Sequence, residues 1–302
     1  MSGLNASLGY FLACVVFGAS LRPLLKKWPH LAFLLEFSSS FMLVACWLEV
    51  QTIVEVGEWA GGLGPDVTVT ILFVVLLAHG IISEGASGNP ILILMRFLQL
   101  EATALTTVLT VVFQFLGAHL ALHVAGYYWS LELTDMHMIK NLMSSECSTS
   151  LLASLLQGFF TECMCALVFN LVHLFLRRKS ALIRVPLIAI LLTFLAHTGM
   201  MHPALILIYN EITLIHFACP FAAKGYTSAY INPSLAYGLT FFCPGFTLAE
   251  YAFVYWLAPV TGMTLALLLY MGHIPRIFAK NLLSFQKTRF RVPKSGAKEK
   301  KK

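Results

Sequence analysis

Two Asn-Pro pairs, Asn89-Pro90 and Asn232-Pro233, and two acids inside apolar stretches, Glu36 and Glu162, are the residues of this 302-residue chain whose types and spacing point to chemistry. Asn before Pro starts a helix well. The carboxamide oxygen accepts from orphan N–H groups of the first turn, and Pro at the first helical position needs no partner for its nitrogen. The Asn amide is then free to donate elsewhere. A carboxyl in a bilayer is costly unless it faces protein or water. Glu36 and Glu162 therefore read either as neutralised carboxyls satisfied by a neighbouring helix or as props for the loop ahead of each Asn-Pro. Neither has a nucleophile or a second acid at catalytic spacing, so no catalytic residue and no enzyme activity is expected.

The elements that must position these residues are set by composition. The chain is 58% hydrophobic and 11% charged, against roughly a quarter charged in soluble domains. Apolar stretches recur from Leu4 to Tyr270, long enough for a hydrocarbon layer about 30 Å thick. An all-α polytopic membrane protein follows. The net charge of +6 is local: nine basic residues from Lys280 to Lys302 follow the last apolar segment, and Arg177, Arg178, Lys179 and Arg184 share one short loop. These read as cytoplasmic flanks in contact with membrane lipid, not as a nucleic-acid surface. Seven cysteines, with Cys163 and Cys165 the one close pair, offer no metal-ligand spacing, and no cofactor is implied. Their odd number and scatter imply no disulfide framework.

Helices are expected at about Leu4–Leu25, Leu31–Val54, Val67–Ile82, Ala102–Val124, Leu151–Leu176, Ile183–His197 and Leu248–Met271. Arg22, Lys26 and Lys27, the Arg177–Arg184 loop and the tail belong on the cytoplasmic side by the positive-inside rule. Loops with Glu55, Glu58 and Asp66, or Glu132, Asp135 and Glu146, then fall on the other side. The first run is an extra helix, retained in preference to a cleaved signal peptide, and places the N-terminus outside or in a lumen. Asn5-Ala6-Ser7 is a glycosylation sequon by pattern.

An internal repeat decides the architecture. Glu36, then Gly85-Ala86-Ser87-Gly88-Asn89-Pro90, then Gln114-Phe115-Leu116-Gly117-Ala118 is answered by Glu162, then Thr227-Ser228-Ala229-Tyr230-Ile231-Asn232-Pro233, then Tyr255 to Gly262. Three spans and one half-span per repeat make an inverted pair whose half-helices meet at the midplane. Their facing N-termini concentrate positive partial charge there. Passage of neutral hydrogen-bonding solutes and rejection of protons and cations is the expected consequence. The organisation read from the sequence is an N-terminal helix and basic loop over 1–30 and a first repeat over 31–125, with its half-helix near 89–100. A non-cytoplasmic loop follows over 126–150, then a second repeat over 151–275 with its half-helix near 232–242, and a basic cytoplasmic tail over 276–302.

These motifs resemble the aquaporin family, with its Glu-Phe first helix, Gly-Ala-x-x-Asn-Pro-Ala turns and Tyr-Trp-x-Gly-Pro-x-x-Gly helix. Ile91 and Ser234 stand where the family has Ala, and Cys243 lies nine residues after Ser234, a pattern similar to the superaquaporin branch. The segments Gly3 to Leu8, Trp59-Ala60-Gly61, Gly64-Pro65-Asp66 and Leu77-Ala78-His79-Gly80 fit that branch too. The resemblance implies one pore per subunit of a homotetramer, passing water and small neutral solutes in an intracellular membrane such as the endoplasmic reticulum or vesicles. Typical members place Arg three residues after the second Asn; here Leu235 stands there, with Ala229 three before it. A less polar constriction follows, shifting selectivity toward solutes such as glycerol or peroxide. His197 is a further constriction candidate, set against a plain interfacial role. The stretch 199–221 has no counterpart in the family pattern and reads either as retained intronic sequence or as a re-entrant segment. Lys298 and Lys300 resemble a dilysine retrieval signal. A secondary transporter and a poorly conducting protein acting through partners remain as alternative readings.

Overall fold

The computed structural model describes residues 2–28, 31–83, 85–144, 147, 149–151, 154–200 and 227–272. All of the atypical stretch 199–221 beyond Met200, the basic tail from 273 on and Glu146 lie outside the described residues.

The described chain is helical throughout. Helix α1 spans Gly3–Lys26, α2 Ala32–Gly61 and α3 Pro65–Ile82; α4 is short, Pro90–Leu98; α5 spans Ala104–Ser130. A nine-residue helix α6, Asp135–Met143, precedes α7, Leu155–Leu176, and α8, Ala181–Met200. The second short helix, α9, is Pro233–Thr240, and the last span is α10, Leu248–Ala252, a π-turn at Phe253–Leu257 and α11, Ala258–Tyr270. Five of these segments are long and apolar enough to cross a membrane, and the Asp66–Ile82 and Ala181–His197 helices are shorter apolar ones. The chain is a multi-pass membrane protein.

Local chemistry sets the boundaries. Ser154 with Gln157, and Thr247 with Glu250, form capping boxes at the starts of α7 and α10, each satisfying two orphan N–H groups reciprocally. Pro65 opens α3, and Gly62, in the left-handed region at φ 62°, closes α2. The π-turn has a cause in the sequence. Pro259 has no N–H to bond the carbonyl of Tyr255, so the ladder widens just ahead of it. Three expectations change here: α2 runs to Gly61 and not Val54, α5 runs to Ser130 and not Val124, and α6 replaces part of what reads as loop between 126 and 150.

The two halves pack by the same device. A Cβ on Gly117 of α5 would sit 2.3 Å from the Phe37 carbonyl of α2, and one on Gly262 of α11 would sit 2.2 Å from the Cys163 carbonyl of α7. Each carbonyl belongs to the residue after the buried acid, so each glycine lets a helix pair cross in backbone contact. Around this frame α1 docks through Glu49, which is fully buried on α2. Its carboxyl accepts from Ser7 Oγ at 2.5 Å and Trp129 Nε1 at 3.0 Å, and lies 2.8 Å from His137 Nε2.

Candidate functional site

The short helices α4 and α9 begin at the two Asn-Pro pairs, and each is capped as its sequence dictates. Asn89 Oδ1 accepts from Ile91 N at 2.9 Å, and Asn232 Oδ1 accepts from Ser234 N at 3.1 Å and Leu235 N at 3.5 Å. The amides then cross between the halves. Asn89 Nδ2 donates to Ile231 O at 3.4 Å, and Asn232 Nδ2 donates to Gly88 O at 2.9 Å. Each Asn thus bonds the carbonyl just before the other Asn. An amide nitrogen carries two N–H groups, so one is spent on this crossing and one remains for the cavity. The sequence reading left the whole amide free.

The loops ahead of these turns hang on the buried acids. Glu36 Oε2 accepts from Ser87 N at 3.0 Å, Gly88 N at 2.9 Å and Gln114 Nε2 at 2.8 Å. Glu162 accepts from Tyr230 N at 3.0 Å and Ile231 N at 2.8 Å. Gly88 and Ile231, whose N–H groups reach these carboxyls, adopt left-handed backbone at φ 57° and 47°, as do Ser228 at 64° and Ala229 at 47°, the latter with its N–H on Thr227 Oγ1 at 3.3 Å. Ile231 is a β-branched residue in that region, where side chains are rarely found, and Glu162 holds it there. Gln114 as the third donor to Glu36 escaped sequence reasoning, although a lone amide in an apolar helix was a usable signal.

Both Asn residues face a cavity of about 430 Å³ that also touches Ala229, Leu235, Leu43 and Trp47. Leu235 and Ala229 are buried and form part of an apolar wall. Ile91 is fully buried and is not itself a cavity wall; it belongs to a hydrophobic cluster with Met95 and Phe169, which do line the cavity. Ser234 has a specific use for its hydroxyl, which donates to Gly88 O or to Asn232 Oδ1, each at 2.9 Å, and accepts from Ser40 Oγ at 3.4 Å. An Ala there would make none of these bonds. Pro90 and Pro233 occupy the first helical positions. His197 sits half-buried near the end of α8 and is not among the cavity walls. His79 is, with Nε2 3.0 Å from Ser39 Oγ.

Cys243 gives the main correction. It forms a disulfide with Cys147, with Cα atoms 5.3 Å apart, whereas an odd cysteine count with scattered positions implied no framework. The count misled because Cys14, Cys46, Cys163 and Cys165 are free buried helix residues, and only the fold brings the inter-helix segment before α7 against the end of α9. Ser150 N donates to Thr240 Oγ1 at 3.0 Å beside the bridge, and Ser150 Oγ lies 2.7 Å from Tyr230 Oη. Among the described residues no group of three or more His, Cys, Asp or Glu could hold a metal ion.

The chain matches no protein-family model. It is 39% identical over 298 residues to Aquaporin-12 of Mus musculus, covering 97% of this chain and 94% of that protein. It is 27% identical over 273 residues to Aquaporin-11 of Homo sapiens, covering 89% of this chain and 90% of that protein.

Proposed function

The chain belongs to the aquaporin family, a family of membrane channels, and from that premise we propose that it conducts water and small neutral solutes passively while rejecting protons and ions. The observation that carries this reading is the reciprocal bonding of Asn89 and Asn232 across two helix starts that face one cavity. The N-termini of α4 and α9 bring partial positive charge, roughly half a unit each, to the place where the path narrows. A cation meets that charge without water to screen it, whereas a neutral solute accepts from the spare amide N–H groups.

Leu235, in place of a guanidinium, removes a donor and a positive charge from the path. Glycerol and peroxide are therefore the solutes to compare with water. The functional unit in this reading is a homotetramer with one pore per subunit, in an intracellular membrane, with the basic loops, the tail and the C-terminus in the cytoplasm. Osmotic swelling of proteoliposomes with water, glycerol and peroxide tests the reading. Solute flux should be independent of ion gradients and unsaturated, and saturable flux driven by an ion gradient would replace a channel with a transporter. A second reading, a poorly conducting protein that works through partners, draws on the walls formed by Leu43, Trp47 and Leu235, since an apolar constriction closes by dewetting. Intact tetramers without measurable flux would favour it.

A further inference from the structure

The cavity that touches Asn89 and Asn232 continues to the basic end of the molecule, where its walls are Arg96 from the last turn of α4, His173 and Arg177 from the end of α7, and Arg184 from α8. No Asp or Glu lines it among the described residues. Arg177 is already engaged, since it forms an ion pair with Glu101 and donates to Gln99 Oε1 at 3.0 Å. The hydrogen bond from Arg177 to Glu101 holds the Glu101 carboxyl below its usual range, so the pair stays neutral overall. Arg96 and Arg184 have no ion-pair partner among the described residues, and Arg184 reaches only the Arg177 carbonyl, at 3.4 Å. Two guanidinium groups without an ion pair of their own therefore share one concave mouth, with Arg96 near enough to Glu101 to interact with its charge through space. The cavity as a whole, mouth and inner path together, holds about 430 Å³, within the roughly 300–1,000 Å³ range of small-ligand pockets.

Guanidinium groups converging on a cavity fit planar, multi-oxygen anions, to which each donates two parallel N–H bonds. We propose that this mouth binds a phosphate-bearing anion, held by Arg96 and Arg184, and that the bound anion closes the path from the basic end. The closure rests on the channel reading above; the binding does not. The anion does not traverse the pore, because beyond the mouth Leu43, Trp47 and Leu235 wall the path, and the two spare Asn89 and Asn232 N–H groups are too few to replace a phosphate's hydration. It fills the vestibule instead, where a neutral solute would have to pass. The phosphate could belong to a soluble molecule or to a lipid headgroup beside the mouth, and the chemistry of recognition is the same.

The test uses the full-length purified protein in nanodiscs. In one arm, inositol trisphosphate is titrated against protein in neutral phosphatidylcholine, with binding read by isothermal calorimetry. In the other, the nanodiscs contain phosphatidylinositol bisphosphate and retention of labelled lipid is read. Binding is expected in at least one arm, to fall about tenfold in R96Q/R184Q, and to stay within about twofold of the original in R178Q/K179Q. The second variant loses the same charge from exposed positions that do not line the cavity. Higher salt should weaken binding. Binding in the soluble arm alone assigns a free phosphate compound, and binding in the lipid arm alone assigns a headgroup. Absence of binding in both arms, or equal loss in the two double variants, overturns the proposal. In proteoliposomes the bound probe should reduce solute flux. Binding without any flux to inhibit would defeat the channel reading and leave the anion site standing.

Discussion

At the scale of single residues, the departures from the family pattern are the informative positions, because each has a distinct physical consequence. Leu235 removes a donor from the cavity wall. Substituting Leu235→Arg should restore a narrower, more polar constriction and lower the ratio of glycerol to water permeability about tenfold, a difference of roughly 1.4 kcal/mol in barrier. An unchanged ratio in stopped-flow light scattering would show that the narrowing lies elsewhere. Ser234 adds a hydroxyl that ties the second turn to Gly88 and, through Ser40, to α2. Its replacement by Ala leaves Gly88 O with the Asn232 amide as partner, so the group left without its bond is the Ser40 hydroxyl, whose contact is long at 3.4 Å. The loss should be only about 1 kcal/mol, seen as a fall of about 2–4 °C in the melting temperature of the purified protein. A loss several times larger would mean that stranding the buried Ser40 donor, and not the lost bonds alone, sets the cost.

At the scale of elements, Gly117 and Gly262 are the positions where helix packing tolerates least. A methyl group at either would press on a backbone carbonyl of the facing helix, and backbone cannot rotate away as a side chain can. Gly117→Ala and Gly262→Ala should each destabilise by about 1–3 kcal/mol or more, with lower yield of monodisperse protein on size exclusion. Gly126→Ala, also helical but with open space around its added Cβ, should be neutral or slightly stabilising. Equal tolerance at all three glycines would contradict the close crossings. These glycines also show how far the sequence could be read. The internal repeat announced Gly117 and Gly262 as equivalents, because periodicity and motif order are local properties. The spans and both Asn-Pro helix starts were legible for the same reason: apolar length, capping residues and proline position act within a few residues. What the sequence did not disclose depends on separation. Glu49 gathers donors from α1, α5 and α6, and Gln114 finds Glu36 across 78 positions. The extension of α2 past Val54 into Glu55 and Glu58 went unread because polar residues there mimic a loop.

At the scale of the whole molecule, covalent and polar ties collect at the end opposite the basic loops. The Cys147–Cys243 bridge closes a loop across a sequence separation of 96 residues, and it pins the segment before α7 to the outer end of α9. On the proposed orientation this end faces a lumen, where thiols oxidise and disulfides persist. The bridge limits how far α9 can swing and so bears on the turn at Asn232, since Ser150 bonds both Thr240 and Tyr230. If the bridge forms, Cys147→Ser and Cys243→Ser must each remove the same bond, and the double variant must be no worse than either single one. A loss of about 2–4 kcal/mol is expected for each, read as thermal stability of the purified protein. Mild reductant should bring the unsubstituted protein down to the same level and leave the variants unmoved. Additive losses in the double variant would mean that the two sulfurs contribute separately, and peptide mapping without reductant would then recover both as thiols. The channel consequence follows the same logic, since loss of the bridge frees α9 from outside while Glu162 still holds its loop from within. Solute permeability per folded protein should therefore change far less than stability does.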